Sequence, residues 1–163
     1  MSKGYTGIKE DSGSKSWYLN GKLHREDGPA IIKGSGTKSW WIKGKLHRED
    51  GPAIENYDGT KVWYVKDKLH REDGPAVEYD GHKEWWIRGQ RHRTDGPAVE
   101  NADGYKAWYV NGNLHREDGP AVEYVDNTKE WYLTDKNYTK EEYYKRLYKK
   151  GLISKDDYFL EFV

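Results

Sequence analysis

Histidine, arginine and carboxylate side chains crowd together in five places: His24-Arg25-Glu26-Asp27, His47-Arg48-Glu49-Asp50, His70-Arg71-Glu72-Asp73, His92-Arg93-Thr94-Asp95 and His115-Arg116-Glu117-Asp118. Residues of these types could ligate a metal ion or exchange protons as a general acid and base. Their recurrence argues against both. At one imidazole per repeat the histidines would stand about 10 Å apart, too far to share an ion whose ligand bonds are about 2 Å long. Catalysis needs one preorganised constellation, not five similar copies. A structural role fits better, with Asp and Arg bonding turn amides and each other, as polar groups inside a fold must. The chain also has no nucleotide-binding Gly loop, no nucleophile elbow and no cysteine. These readings predict a protein that is not an enzyme and uses neither a metal nor a cofactor.

The elements that carry these residues repeat with them. Trp17, Trp40, Trp63, Trp85, Trp108 and Trp131 set a period of 23 residues with one unit of 22. Such a period marks stacked supersecondary units. The short unit has lost its residue between Val77 and Gly81, at a loop tip where deletions are tolerated. Each unit reads as strand, turn, strand. Residues 15–19 are β-prone and end at Asn20-Gly21, a pair that accepts positive φ and suits a tight hairpin; Lys43-Gly44, Lys66-Asp67, Arg88-Gly89, Asn111-Gly112 and Thr134-Asp135 are its equivalents. Asp-Gly-Pro then breaks the chain, because Pro lacks the N–H that a central strand would donate. An Ala-Val strand follows and turns back at pairs such as Asp58-Gly59. Ile8 and Gly13 belong to an N-terminal half unit. Two strands per unit at about 4.8 Å predict an elongated antiparallel ribbon about 50 Å long.

A ribbon of this kind needs its end covered. After Asn137 the repeat stops, and Thr139-Lys140-Glu141-Glu142 forms a capping box, with Tyr138 and Tyr143 at staple positions and Gly151 at the helix end. Ser154 opens a second helix, with Ile153 and Tyr158 as its staple. Two helices are predicted, over residues 140–150 and 155–162. Their Tyr143, Tyr144, Leu147, Tyr148, Tyr158, Phe159 and Phe162 must bury, most simply over the open sheet edge. The organisation is therefore tandem hairpin repeats over residues 1–137, a half repeat and five full units, with a helical cap over 138–163.

Strand alternation sorts the remaining side chains. Each first Trp shares a face with the aliphatic residue two positions on, as Trp63 does with Val65, and this face is expected to be the buried one. Truncating Trp63 should then cost about 3–5 kcal/mol and truncating Trp41, on the opposite face, much less. The opposite face carries Tyr18, Trp41, Tyr64, Trp86, Tyr109 and Tyr132.

Composition narrows the partners. With 28 basic and 28 acidic residues the chain has no overall field to draw it to duplex nucleic acid or a membrane. Its mean hydropathy of -1.17 suits a thin core, while 15% aromatic residues argue against disorder. Absence of an apolar signal region after Met1 and of any spanning run predicts a cytoplasmic protein.

The unit Trp108-Tyr109-Val110-Asn111-Gly112-Asn113-Leu114-His115, with Gly119 later, resembles the MORN repeat, over about residues 8–137. It departs where MORN has Gly after His, since Arg25, Arg48, Arg71, Arg93 and Arg116 stand there, followed by Asp-Gly-Pro-Ala. Closer still is the His-Arg-x-Asp-Gly-Pro-Ala tandem repeat of hypothetical proteins from tailed phages and some bacteria. The resemblance implies a mainly β, MORN-like hairpin ribbon. It also suggests a small phage accessory factor acting in the host cytoplasm.

The function expected is non-enzymatic binding of a host protein, such as a defence component that the chain would block. Alternatives are a small-molecule or nucleotide binder, with aromatics on bases and Arg91 or Arg93 at phosphate, a structural scaffold or virion protein, and a homo-oligomer. Specificity should sit where copies differ, on the second aromatic row. Trp41, Tyr64, Trp86 and Tyr109, with Arg91 and Arg93 of the most divergent unit beside them, form the expected binding surface, because aromatics and Arg anchor interfaces.

Overall fold

A computed structural model describes residues 4–161. The predicted Phe162 contact lies outside the described residues. The fold is mainly β, with short antiparallel strands followed by two short helices, and among the described residues the strands close no barrel. The chain divides into two compact units between Gln90 and Arg91.

In the first unit a meander runs from Gly7–Asp11 through Ser14–Leu19, Ile31–Ile32, Lys38–Ser39, Ile54–Glu55, Lys61–Val62 and Val77–Tyr79 to His82–Glu84, each strand antiparallel to the next. The second repeats the pattern with Val99–Glu100, Lys106–Ala107, Val122–Glu123, Lys129–Leu133 and Lys136–Tyr138. Beside the meander stand small hairpins, Trp41–Ile42 with Lys45–Leu46, Tyr64–Val65 with Lys68–Leu69 and Tyr109–Val110 with Asn113–Leu114.

The strand predicted to run through each first Trp is therefore broken at that Trp in the middle repeats. Trp40 is a pivot: its N–H donates to the Ala53 carbonyl at 2.8 Å, and its own carbonyl accepts from the His47 N–H at 3.1 Å. Residues before it pair in the meander and residues after it pair in the hairpin. Trp63 and Trp108 make the same two bonds, to Ala76 and Ala121 and from His70 and His115. Such a switch is invisible to alternation, because the side-chain period continues through it.

The turns follow the predicted chemistry. Lys43 (φ 53) and Gly44 (φ 81), like Asn111 (φ 52) and Gly112 (φ 84), both take the positive φ that a two-residue hairpin demands. Where Asp replaces Gly, the new carboxylate binds an amide of the preceding hairpin: Asp67 accepts from the Leu46 N–H at 2.8 Å and Asp135 from the Leu114 N–H at 2.7 Å. At the other end of the units the Asn56 N–H closes a loop onto the Thr60 carbonyl. The short unit instead turns at Asp80 (φ 41) and Gly81 (φ 76), with Tyr79 paired to His82, so the deletion trims a loop and leaves the ladder in register.

Burial corrects one expectation. Ala30, Ala53, Ala76, Ala98 and Ala121 of the Asp-Gly-Pro-Ala turns are fully covered, whereas Trp17, Trp40, Trp63, Trp85 and Trp108 are half-buried. Trp41, Tyr64, Trp86 and Tyr109 are half-buried too. Trp63 and Val65 line one cleft and Tyr64 another, and among the described residues no second layer of sheet encloses the Trp63 side. The second row is also the side that meets the apolar cluster of the second unit, where Tyr109, Leu114 and Tyr132 pack on Val99, Ala107 and Val122.

Helix α1 (Lys140–Lys149) starts at Thr139 with the predicted capping box to Glu142, and α2 (Lys155–Leu160) starts at Ser154, boxed by Asp157. Tyr143 and Leu147 are completely buried, against Leu133, Trp131, Tyr138 and Ile153. Tyr144 and Tyr158 are half-buried. Tyr148 and Phe159 stay exposed, contrary to expectation, because α2 is a single short turn-and-a-half that buries no residue fully.

Candidate functional site

The His-Arg-x-Asp-Gly-Pro-Ala motif forms a lock built around Arg. Arg71 lays its guanidinium 4.1 Å from the centre of the Trp63 ring, donates through Nε to Asp73 at 2.9 Å, and donates through Nη1 to the Pro75 carbonyl and to Glu78, each at 3.1 Å. Planar stacking combined with a fork of donors is what guanidinium supplies and ammonium does not. Arg48 and Arg116 repeat the whole set on Trp40 and Trp108, with Glu55 and Glu123. Arg25 keeps Trp17, Asp27 and Pro29, but Ile32 stands where the others have Glu. The turn glycine is explained by the same geometry: a Cβ on Gly74 would lie 2.9 Å from the Arg71 guanidinium carbon, and one on Gly51 2.8 Å from that of Arg48.

Each His joins one repeat to the next. Nδ1 of His24, His47, His70, His92 and His115 accepts the backbone N–H of Lys43, Lys66, Arg88, Asn111 and Thr134, at 3.1–3.3 Å. The acceptor role fixes the tautomer, placing the proton on Nε2, and uses the Nδ1 lone pair that a metal would take. Among the described residues no group of three or more His, Cys, Asp or Glu is placed to hold a metal ion.

The Arg25, Arg48, Arg71 and Arg93 side chains hold the carboxyls of Asp27, Asp50, Asp73 and Asp95 below the usual range, first by hydrogen bonding and then by charge. A depressed folded value gives stabilisation that is complete above the ordinary Asp value of 3.8 and is lost as pH falls through the folded value. Urea midpoints should therefore drop on acidification below about pH 4, and Asp73→Asn should make that drop shallower. An acid branch unchanged by the substitution would remove the pair from the stability account.

With the lock and the His bonds in place, neighbouring motifs within a unit flank an open cleft. In the first unit one cleft of about 720 Å³ has Arg48, Gly51 and Pro52 in one wall, His70 and Arg71 in the other, and Trp63 with Val65 as its floor. The preceding cleft, about 640 Å³, is floored by Trp40 and Ile42. In the second unit a cleft of about 620 Å³ is floored by Trp108 and Val110. The exposed outer carboxylates Glu49 and Glu72 stand about 80% free on the first cleft's rim.

The residues expected to bind are distributed differently. Trp41, Tyr64 and Trp86 lie in the first unit. Trp41 Nε1 donates to Ser39 at 2.8 Å, and Trp86 Nε1 donates to Glu84 at 2.6 Å. Tyr64 lines a shallower cleft with Lys68 and Arg88. In the second unit Arg91 stacks 5.4 Å from the Tyr109 ring, as a neighbouring aromatic and cation should. The Arg93 backbone N–H donates to the Tyr109 carbonyl at 3.1 Å, but its side chain is engaged elsewhere. Its guanidinium is held by Asp95, the Pro97 carbonyl and Glu100, the last at 2.7 Å, as part of its own lock. The Ile42, Val65 and Val110 clefts were missed because alternation counts those residues as core. A comparison of the apolar residues with the layers available to cover them could have exposed the error. Comparison with protein-family models gives no match, and no curated protein matches the sequence.

Proposed function

We propose that this chain is a non-enzymatic interaction protein that binds another protein through its inter-repeat clefts. The observation that carries the reading is the partly exposed floor of Trp and aliphatic side chains, repeated between walls of fixed Arg and Asp. Large aromatic area held rigidly beside paired charges is the composition of a binding hot spot. Every recurring His, Arg and Asp has a partner within the fold, which favours binding over chemistry. Arg93, one of two cations expected to meet a nucleotide phosphate, is engaged by two carboxylates, so a protein partner is preferred to a nucleotide. The resemblance to phage tandem-repeat proteins points to a host protein in the cytoplasm, such as a defence component, with blocking as the mode of action. No helix among the described residues is long and apolar enough to cross a membrane.

Affinity capture from host extract, followed by native mass measurement, tests this. A stoichiometric complex with a second protein is the expected result. A retained small molecule, or a homo-oligomer alone, would overturn it.

A further inference from the structure

Resting on that protein-binding reading, we propose that the open clefts dock a basic amphipathic helix of the partner, one that carries Tyr and Leu four positions apart. The chain already closes its last cleft with such a helix of its own. There the wall is Arg116, Asp118 and Gly119, and the floor is Trp131 with Leu133. The Tyr143 hydroxyl of α1 enters from above, donating to the Arg116 carbonyl at 2.8 Å and accepting from the Gly119 N–H at 3.2 Å. Leu147, one turn on, packs with Leu133. Burial pushes the Tyr143 pKa well up, so the hydroxyl keeps the proton it donates.

The filled position differs from the open ones as occupancy requires. Gly119 is buried, whereas Gly51, Gly74 and Gly96 are half-buried; Leu133 is 5% exposed, whereas Ile42, Val65 and Val110 are half-buried. Register explains why the helix is needed there. Tyr138 and Thr139 stand where the other units have His and Arg, so Trp131 has no guanidinium of its own repeat to cover it. The open clefts keep the same floor chemistry and the same two wall positions, Arg48 with Gly51 in the first unit and Arg93 with Gly96 in the second.

Charge sets the rest of the specificity. Beyond the Arg-paired Asp residues, the rims of the open clefts carry exposed Glu, as Glu49 and Glu72 do around Trp63 and Glu117 does beside Trp108. Helix α1 is itself rich in Lys and Arg: Lys140, Lys145, Arg146 and Lys149 flank its buried Tyr143 and Leu147. A helix read by Tyr and Leu anchors at i and i+4, with basic flanks, is the ligand these features fit.

The probe is a fluorescein-labelled peptide of residues 138–153, held helical by a lactam between the exposed Glu141 and Lys145 positions and titrated with the full chain. Saturable anisotropy is expected. In the peptide, Leu147→Ala should weaken binding about tenfold or more, and Tyr143→Phe about fivefold. These changes leave the protein's own folding untouched. In the chain, Ile42→Glu combined with Val65→Glu and Val110→Glu, checked for unchanged circular dichroism, should abolish binding while the last cleft stays as it is. No saturable binding, equal binding by the altered peptides, or binding that survives in the Ile42→Glu/Val65→Glu/Val110→Glu chain would overturn the proposal, the last by placing the peptide in exchange with α1. Self-association of the chain alone that is lost in the same variant would make a second copy the occupant and overturn it too. Failure of the peptide alongside successful protein capture would remove helix docking and leave the binding function standing.

Discussion

Replacing Tyr143 with Ala should lower stability by about 3–5 kcal/mol, the loss of a large, completely buried aromatic side chain. Tyr143→Phe separates the two contributions. It keeps the ring against Leu133 and Leu147 but leaves the Gly119 N–H and the Arg116 carbonyl without the hydroxyl, which should cost about 1–3 kcal/mol. Chemical denaturation followed by Trp fluorescence reads both, because Trp131 lies beside the ring. In a repeat array such a loss can be confined to the end that the cap covers, so amide exchange should rise first over residues 116–119 and 131–133. A Phe variant as stable as the parent would show that the hydroxyl does not fasten the cap.

The second large effect concerns the lock. Arg71→Ala removes a stacked ring contact and bonds to two carboxylates and a carbonyl, and should cost about 2–4 kcal/mol. Arg71→Lys should recover little, since a point charge offers neither the flat face nor the fork. Gly74 provides an internal check. With Arg71 present, Gly74→Ala forces the guanidinium away from its partners and should cost a substantial part of the same amount; in an Arg71→Ala background it should be nearly neutral. Additive losses in this cycle would show that glycine serves the backbone and not the arginine.

Much of this fold could be read from residue types, and the places where reading failed share a cause. The period, the positive-φ turns at Asn111-Gly112 and Asp80-Gly81 and the capping box at Thr139 are local devices, fixed by a few neighbouring residues. The structural role expected for Arg and Asp has its geometry in the Arg71–Asp73 and Arg71–Glu78 bonds. What alternation does not encode is how many layers cover a face. Trp63 and Val65 share a side as expected, yet that side opens into a cleft, because among the described residues no second sheet lies over it. The break at Trp40 escaped for a related reason, since switching ladders changes the backbone partners without disturbing the order of side chains. Spacing also does not tell the two cations of the divergent unit apart: the Arg93 guanidinium pairs with Asp95 and with Glu100, seven residues downstream, whereas that of Arg91 lies over the Tyr109 ring.

Where a partner sits on this molecule is the central question, and hydrogen exchange on the captured complex addresses it most directly. Binding in the clefts predicts slowed exchange over residues 48–52 and 63–65 in the first unit and over 93–96 and 108–110 in the second, with the hairpin turns at 66–67 and 111–112 unchanged. Protection confined to the turns and strands of the second aromatic row, around Tyr64, Lys68 and Arg88, with the cleft walls exchanging as in the free chain, would contradict the account.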